Sequence, residues 1–221
     1  MTRSRVVAID GAAGSGKSTL AHGLARMLEL PYVNTGLMYR ALTLEGLRRD
    51  IPPADEAALV LVTRSLRFGL DDASPQELSI EGSRPSKDLA SSEVEAAVSE
   101  VARHPLVRTW MRQEQRRLGA GGAVMEGRDI ATAVFPQARL KLYLIADPSV
   151  RAARRARERA EGGNVGPVAE ALHERDARDM RVNPFRATGD AIELDTTNLD
   201  VSQTIDAALA LIRERAPELL P

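Results

Sequence analysis

The sequence predicts an α/β fold in which helices cover both faces of a central parallel sheet, giving three layers. Continuous apolar runs at Val6–Asp10 and Leu140–Ala146 are typical of strands that are buried on both faces of such a sheet. A glycine-rich segment joins the first run directly to Ser18–Leu28, where leucines recur at helical spacing. Strand, glycine-rich turn and helix in this order favour the opening of an α/β unit.

Composition favours one soluble globular domain. The chain has 221 residues, of which 43% are hydrophobic and 28% charged, a length that predicts one domain with room for insertions. Cysteine is absent, which excludes disulfides, thiolate metal sites and cysteine nucleophiles. Aromatic residues make up 3% and the formal net charge is −1, so we expect no nucleic-acid partner and no attraction to anionic membranes. We expect a cytoplasmic protein, since no apolar run is long enough to span a bilayer and no secretory segment follows Met1. We also expect a monomer.

The remaining core elements follow later in the chain. Each predicted strand ends where polar or turn-forming residues begin, and the last helix has apolar residues at helical spacing. Besides the two strands and the helix given above, the sequence predicts strands at Ala123–Met125 and Ala191–Leu194 and a helix at Val201–Arg215. A further helix is expected after Asp147-Pro148, because this pair is a natural helix start.

Two blocks interrupt this alternation. Residues 36–118, the insertion, contain a predicted hairpin at Leu66–Leu70 and Leu78–Ile80. They also contain predicted helices at Ser92–Ala102 and Val107–Leu118, broken at His104-Pro105. Residues 151–186, the lid, are rich in arginine and predict a mobile helical flap. The core then comprises about residues 1–35, 119–150 and 187–221 of a single domain.

The segment after the first strand predicts a cradle for phosphate. It matches the pattern G-x-x-x-x-G-K-[ST] in full, between a strand and a helix as the pattern requires, and therefore predicts a P-loop NTPase-type fold that binds a nucleoside triphosphate. Glycines allow successive backbone N–H groups to face an anion, and the helix N-terminus adds its dipole. Lys17 reaches the β- and γ-phosphates, and the Ser18 hydroxyl is a ligand for Mg²⁺. The predicted ATP-binding residues here are Gly11, Ala12, Ala13, Gly14, Ser15, Gly16, Lys17, Ser18 and Thr19.

Other residues are candidates for a second anion site. Arg40 lies about one turn into a predicted helix, for which Thr35 is the expected N-cap. Arg128 and Asp129 follow a predicted strand at the carboxyl edge of the sheet, where ligands of open α/β sheets bind. The predicted insertion adds Ser99 and Arg108 on successive helices. An enzyme that transfers a phosphoryl group to a second nucleotide needs such a pocket. The alternative is that these arginines lie on the surface, as most arginines do.

Several motifs together resemble those of bacterial cytidylate (CMP) kinases, within the nucleoside monophosphate kinase superfamily. The resemblance extends over nearly the whole chain, and the combination of G-R-D-I-x-T-x-V-F-P with the serine–arginine pair is specific to this family. The motifs are I-D-G-x-x-G-S-G-K-S-T at Ile9–Thr19, T-G-x-M-Y-R at Thr35–Arg40, S-x-V-A-x-x-P-x-V-R at Ser99–Arg108, E-G-R-D-I-x-T-x-V-F-P at Glu126–Pro136, R-A-x-R-R at Arg151–Arg155 and D-A-I-x-L-D-T-T at Asp190–Thr197.

The resemblance implies a role for each matched residue. The implied reaction transfers a phosphoryl group from ATP to CMP or dCMP with Mg²⁺. The implied catalytic residues are Lys17, Arg128, Arg155 and Arg181, and Arg151 is implied to approach the donor nucleotide. The implied CMP-binding residues are Thr35, Arg40, Ser99, Arg108, Arg128, Asp129, Arg175 and Asp179, of which Arg40 and Arg128 grip the phosphate and Arg175 and Asp179 lie near the ribose.

Cytosine chemistry suits the residues implied for its recognition. A carboxylate at Asp129 and a hydroxyl at Ser99 accept from the N4 amine, while the guanidinium of Arg108 donates to N3 and O2. Uracil has a carbonyl in place of the amine, so an acceptor would face an acceptor, at a cost of about 1–3 kcal/mol. Two departures from the family pattern stand out: Asn34 replaces a common aspartate, and the Arg178–Pro184 spacing is about two residues shorter than usual.

Two alternatives to a CMP kinase remain open from the sequence. The first is a kinase of the same fold for another small acceptor such as UMP, AMP or shikimate. The second is a regulatory or nucleic-acid-linked P-loop NTPase that transfers no phosphoryl group to a small acceptor. The near-neutral charge, the scarce aromatic residues and the second arginine cluster weigh against the latter.

Overall fold

The computed structural model describes residues 5–73, 75–158, 165–182, 187 and 189–221. Within these ranges the strands are β1 (Val6–Gly11), β2 (Tyr32–Asn34), β3 (Phe68–Leu70), β4 (Leu78–Ile80), β5 (Ala123–Gly127), β6 (Leu140–Ile145) and β7 (Ile192–Asp195). The α-helices are α1 (Lys17–Leu28), α2 (Thr35–Arg48), α3 (Glu56–Ser65), α4 (Ser92–Val101), α5 (Pro105–Leu118), α6 (Pro148–Glu158), α7 (Val165–Val182) and α8 (Val201–Arg215).

The central sheet is parallel and has five strands in the order β2-β5-β1-β6-β7. β1 lies in the middle, paired with β5 on one side and with β6 on the other. All five strands therefore present their carboxyl ends at the same edge, which is where open α/β sheets bind ligands. The α/β three-layer fold predicted from the sequence is confirmed.

Side chains of β1 alternate between two hydrophobic clusters, one on each face of the sheet. Val7 and Ile9 pack with α1 and α8, whereas Ala8 packs with the helices of residues 35–118. Every residue of β1 is buried, as the continuous apolar run predicts for a strand covered on both faces. The low aromatic content leaves both clusters mainly aliphatic.

Between β2 and β5, the chain forms α2 to α5 and the antiparallel hairpin β3–β4. The hairpin and both later helices agree with the sequence prediction, and the break between α4 and α5 falls at His104, directly before Pro105. Pro105 occupies the first turn of α5, where its missing N–H costs nothing. The prediction did not include β2, and it placed no helix at α3.

Between β6 and β7, α6 and α7 form a helical pair with a small hydrophobic cluster of its own. Ala152 and Ala156 of α6 pack against Val168 and Leu172 of α7, and Ala13 of the glycine-rich loop packs against this cluster. The pair therefore packs against the loop and also contacts α4, and its apolar residues belong to neither of the two main clusters. Among the described residues, no helix has the length and apolar character that crossing a bilayer requires.

Candidate active site

The glycine-rich loop connects β1 to α1 at the carboxyl edge of the sheet. Gly14 and Gly16 adopt left-handed φ angles of 74° and 90°, which side chains with a Cβ rarely adopt. Gly16 is the N-cap of α1, and no side chain caps this helix start. The first amides of α1 are thus left for an anion, as expected of a phosphate cradle.

Lys17 and Ser18 begin α1 beside this loop. The Lys17 Nζ is buried and donates to the Ala12 carbonyl oxygen across the loop at 2.6 Å. The Ser18 hydroxyl donates to Glu126 Oε2 at 3.0 Å, and Glu126 lies near the end of β5, the strand next to β1. The sequence analysis identified Lys17 and Ser18 as site residues but not Glu126. Glu126 directly precedes the Gly127-Arg128-Asp129 segment, and this position could have indicated that it belongs to the site.

Glu126 is held by a second group of polar side chains. The Tyr32 hydroxyl donates to Glu126 Oε1 at 2.5 Å, and the Asn34 amide donates to the Tyr32 hydroxyl at 3.2 Å. Burial, and then the neighbouring Glu126 carboxylate, raise the pKa of the Tyr32 phenol far above its ordinary value, so it stays a donor. The Glu126 carboxylate is therefore fixed against Ser18.

Ser18 and Glu126 suit a magnesium ion that is shared with a nucleotide. Mg²⁺ prefers oxygen ligands and is usually bound by one or two carboxylates together with substrate phosphates. No cluster of three or more histidines or acidic residues with metal-binding geometry occurs among the described residues. One hydroxyl and one carboxylate beside a phosphate cradle are the donor set expected when the phosphates supply the remaining ligands.

The start of α2 corrects one prediction from the sequence. Asn34, and not Thr35, is the N-cap: its side-chain oxygen accepts from the Leu37 amide at 3.2 Å. Thr35 instead donates from its hydroxyl to the Glu126 carbonyl oxygen at 2.7 Å, which ties α2 to the end of β5. Asparagine and threonine are both common N-cap residues, so local sequence alone does not distinguish Asn34 from Thr35. The hydrogen bond from Thr35 to Glu126, which is distant in sequence, leaves the cap to Asn34.

A cavity of about 560 Å³ extends from the glycine-rich loop to α4 and α5. It brings together side chains from β5, α2, α4, α5 and α6, which lie far apart in the sequence. The predicted site residues that line it beyond the glycine-rich loop are Thr35, Arg40, Ser99, Arg108, Arg128, Asp129 and Arg155.

Each arginine of this cavity is oriented by a protein acceptor. Arg40 donates to the Leu89 carbonyl oxygen at 2.8 Å, and Arg128 donates to the Gly11 carbonyl oxygen at 2.7 Å. Glu95 of α4 lies between two of the arginines, 3.8 Å from Arg40 and 3.2 Å from Arg155. These contacts hold guanidinium groups in a common space where a phosphate would find several forked donors.

Asp129 faces the same cavity from the far side of the cleft. Arg108 Nη2 lies 2.7 Å from Asp129 Oδ2, and both side chains are largely buried. The nearby Asp10 carboxyl accepts from the Ile130 and Ala131 amides at 2.9 and 2.8 Å. Burial is the main cause that raises the Asp10 pKa to about 6, although both backbone donors act in the opposite direction.

A second cavity, of about 690 Å³, lies on the other side of the glycine-rich loop. It is lined by Arg154 and Arg157 of α6 and by the segment 196–201, and Gly14 and Gly16 border both cavities. Arg154 donates to the carbonyl oxygens of Thr196 and Leu199 at 2.6 and 3.3 Å. This cavity therefore adjoins the glycine-rich loop on the side opposite the first cavity.

The arginines of α6 occupy different positions around the glycine-rich loop. Arg155 faces the first cavity and Arg154, which was not predicted, faces the second. Arg151 lines neither cavity: it donates to the Ala13 carbonyl oxygen at 3.1 Å and to Asp176 at 2.5 Å. The backbones of Arg175, Asp179 and Arg181 lie in α7, but their side chains are outside the described residues, so their predicted roles stay predictions.

Comparison with known proteins adds family membership to this geometry. A family profile described as cytidylate kinase matches residues 7–214. The chain belongs to the cytidylate kinase family. A protein named cytidylate kinase from Desulfitobacterium hafniense (strain Y51) is 38% identical over 221 residues, covering 97% of this chain and 95% of the relative.

Other relatives of this cytidylate kinase family member are longer. A protein named bifunctional pantoate ligase/cytidylate kinase from Gloeobacter violaceus is 41% identical over 224 residues, covering 96% of this chain and 44% of the relative. One with the same name from Synechococcus sp. (strain CC9311) is 42% identical over 99% of this chain and 46% of its own length. The chain thus spans about half the length of several curated relatives that it matches. Among solved structures, an unliganded sugar kinase from Janibacter sp. HTCC2649 matches with a TM-score of 0.49 at 19% identity, over 99% of both chains.

Proposed function

We propose that the protein transfers the γ-phosphoryl group of ATP to CMP or dCMP, giving ADP and CDP or dCDP. The observation that carries this proposal is the single cavity that runs from the phosphate cradle to Asp129 and Arg108. A donor phosphate at one end and a pyrimidine at the other would place the two reacting phosphates among the arginines between them. The name of the D. hafniense relative supports the choice of acceptor.

The acceptor phosphate is itself the nucleophile, so the reaction needs positioning and charge stabilisation rather than a strong general base. Lys17 and the amides of the glycine-rich loop hold the donor phosphates. Arg40 and Arg128 hold the acceptor phosphate, and Arg155 reaches the transferring group from α6. Ser18 and Glu126 would hold a magnesium ion, which would supply charge neutralisation to the donor phosphates.

At the far end of the cavity, Asp129 and Ser99 accept from the cytosine amine while Arg108 donates to the ring. Residues 36–118 form the acceptor-binding insertion, and residues 151–186 form a lid that closes to exclude water, which would otherwise accept the phosphoryl group. Within the lid, Arg175 and Asp179 contact the acceptor ribose, Arg181 bridges the phosphates and Arg151 acts on the donor side. One chain supplies the lining of both cavities, which supports action as a monomer. The proposed location is the cytoplasm.

A coupled assay of ADP release with CMP, dCMP, UMP and AMP in parallel tests this function. We expect turnover to depend on Mg²⁺ and to be highest with CMP or dCMP. Preferred turnover of UMP or AMP would assign the chain to another acceptor. ATP hydrolysis that needs no monophosphate and is stimulated by RNA or DNA would refute the kinase assignment. Sedimentation velocity in the same buffer tests the monomer.

A further inference from the structure

The Asp129 side chain is not used to cap the helix that follows it. Asp129 precedes a short π-helix at Ile130–Val134, and its side chain makes no capping hydrogen bond there. The first two amides of that helix donate instead to the buried Asp10 carboxyl. Asp10 therefore takes over the capping function that an aspartate at this position commonly has, and the Asp129 carboxylate is left to make other contacts.

Two arginines of α5 bind this carboxylate through the same oxygen. Arg108 Nη2 and Arg112 Nη2 lie 2.7 and 3.0 Å from Asp129 Oδ2. The two arginines are four residues apart, so they lie on one face of α5. Within the described part of the chain, every hydrogen bond that Asp129 accepts through its side chain ends on Oδ2. The second oxygen, Oδ1, has its lone pairs available to a ligand.

The two arginines differ in their relation to the cavity. Arg108 lines it, and its other terminal nitrogen donates to the Ala102 carbonyl oxygen at 3.3 Å. Arg112 does not line it, and its Nε is buried without a hydrogen-bond partner in the described structure. Arg112 therefore acts on a ligand in the cavity indirectly, with Asp129 as its hydrogen-bonded partner, whereas Arg108 can touch the ligand directly.

A carboxylate and a guanidinium left to themselves tend to pair through two parallel hydrogen bonds. In such a pair both oxygens of Asp129 and two donors of Arg108 would be occupied, which would remove the acceptor and the donors that a pyrimidine needs. The structure does not show this two-point pairing: Arg108 contacts Oδ2 through one nitrogen, Arg112 shares that oxygen, and the other terminal nitrogen of Arg108 donates to Ala102.

We propose that Arg112 is a positioning residue for selection of the acceptor base: it holds Asp129 Oδ2 so that Oδ1 faces the cavity as an acceptor. This inference rests on the proposed recognition of cytosine by Asp129. Arg112 thereby favours CMP, whose N4 amine donates to Oδ1, over UMP, whose carbonyl cannot donate.

The experiment measures binding of CMP and of UMP to the full-length protein by titration calorimetry, for wild type and for Arg112→Gln. We expect Arg112→Gln to lower the ratio of CMP to UMP affinity about tenfold, the size expected for one hydrogen bond to a charged group. Arg112→Lys keeps one charged donor toward Oδ2, so we expect it to restore part of the ratio. A change in helix stability alone would weaken both ligands together and leave their ratio unchanged.

Arg116 provides a matched control on the same helix. It donates to the Val134 and Ala133 carbonyl oxygens at 3.0 and 2.6 Å, so it supports the same π-helical segment without touching Asp129. Arg116→Gln should therefore leave the CMP to UMP ratio at its wild-type value. Melting temperatures of all variants establish that they are folded.

The possible outcomes separate this inference from the proposed function. The inference is overturned if folded Arg112→Gln keeps the wild-type ratio of CMP to UMP affinity. It is also overturned if Arg116→Gln lowers that ratio as much as Arg112→Gln does. Either result leaves the kinase assignment intact. If wild type binds CMP selectively but transfers no phosphoryl group, the kinase assignment fails, while a loss of ratio in Arg112→Gln still supports the inference. If wild type binds CMP and UMP equally, Asp129 does not select the base and the inference is refuted.

Discussion

The two ends of the main cavity are built in different ways. The phosphate cradle is one run of nine consecutive residues, and its conformation depends on backbone torsions at Gly14 and Gly16. At the opposite end, side chains from α2, α4, α5 and the end of β5 converge, and arginines there pair with Glu95 or Asp129. The cradle is thus organised by local structure, whereas the opposite end is organised by ion pairs between distant segments.

This difference has an energetic consequence. Backbone amides that face an anion need no rearrangement when it binds. Arginines that already contact a carboxylate must share or exchange that partner when a phosphate arrives. We therefore expect substitutions at the cradle to abolish transfer, and substitutions at the opposite end to change affinity and selectivity by smaller factors.

The largest expected effect is at Lys17. Lys17→Met removes the charge that the proposed mechanism places beside the donor phosphates. We expect kcat to fall by about 10³-fold, because charge stabilisation is the main contribution to phosphoryl transfer. Steady-state kinetics measure the fall. Calorimetry should show CMP binding near the wild-type value, since Lys17 acts on the donor. Near-normal turnover in this variant would contradict the proposed mechanism.

Asp129→Ala is the next largest. Loss of the carboxylate removes the proposed acceptor for the cytosine amine, so the ratio of kcat/KM for CMP to that for UMP should fall by about ten- to a hundredfold. Parallel kinetics with both acceptors measure this ratio. If selectivity is unchanged while the variant is folded, Asp129 is not the residue that distinguishes the two bases.

Glu95 is expected to oppose binding of the acceptor phosphate. It contacts both Arg40 and Arg155, so Glu95→Gln should leave these arginines more available and lower the KM for CMP about threefold, the scale of a partly exposed ion pair. Glu93→Gln, on the exposed side of the same helix, is the matched control and should have no effect. A raised KM in Glu95→Gln would show that Glu95 instead supports the site.

Asn34→Asp should have the smallest effect of these substitutions, and it tests the hydrogen bonds around Glu126 beside the glycine-rich loop. Aspartate caps a helix as well as asparagine does, but it cannot donate to the Tyr32 hydroxyl, and it adds a charge near Glu126. Loss of that bond should destabilise the variant by about 1 kcal/mol in EDTA. Thermal unfolding should show a smaller difference from wild type when Mg²⁺ and ATP are present. Equal melting temperatures in EDTA would contradict this assignment of the Asn34–Tyr32 bond.

Local sequence signals predicted the cradle and the core elements because each depends on neighbouring residues. The P-loop pattern, the buried strand β1 and the helix Val201–Arg215 all agree with the structure. Features that depend on distant contacts were missed or misplaced. Thr35 was expected to cap α2, but its bond to Glu126 leaves this function to Asn34.

The same limitation applies to the charged residues of the site. The motifs included Arg108 and Asp129. The contact of Arg112 with the same carboxylate depends on how α5 packs beside the π-helix, which the sequence alone does not show. On α6, an arginine-rich stretch cannot show which side chain faces which cavity, because a shift of one residue turns the helix by about 100°. The sequence therefore did not show that Arg154, and not Arg151, lines the second cavity.

The helical pair α6–α7 has its own apolar contacts, Ala152 and Ala156 against Val168 and Leu172. A reorientation of the pair would therefore leave the packing on both faces of the central sheet undisturbed, and its main apolar cost would be the contact with Ala13. Length changes within this segment should likewise be tolerated without global unfolding, because they affect this small separate cluster and not the two clusters that flank the central sheet.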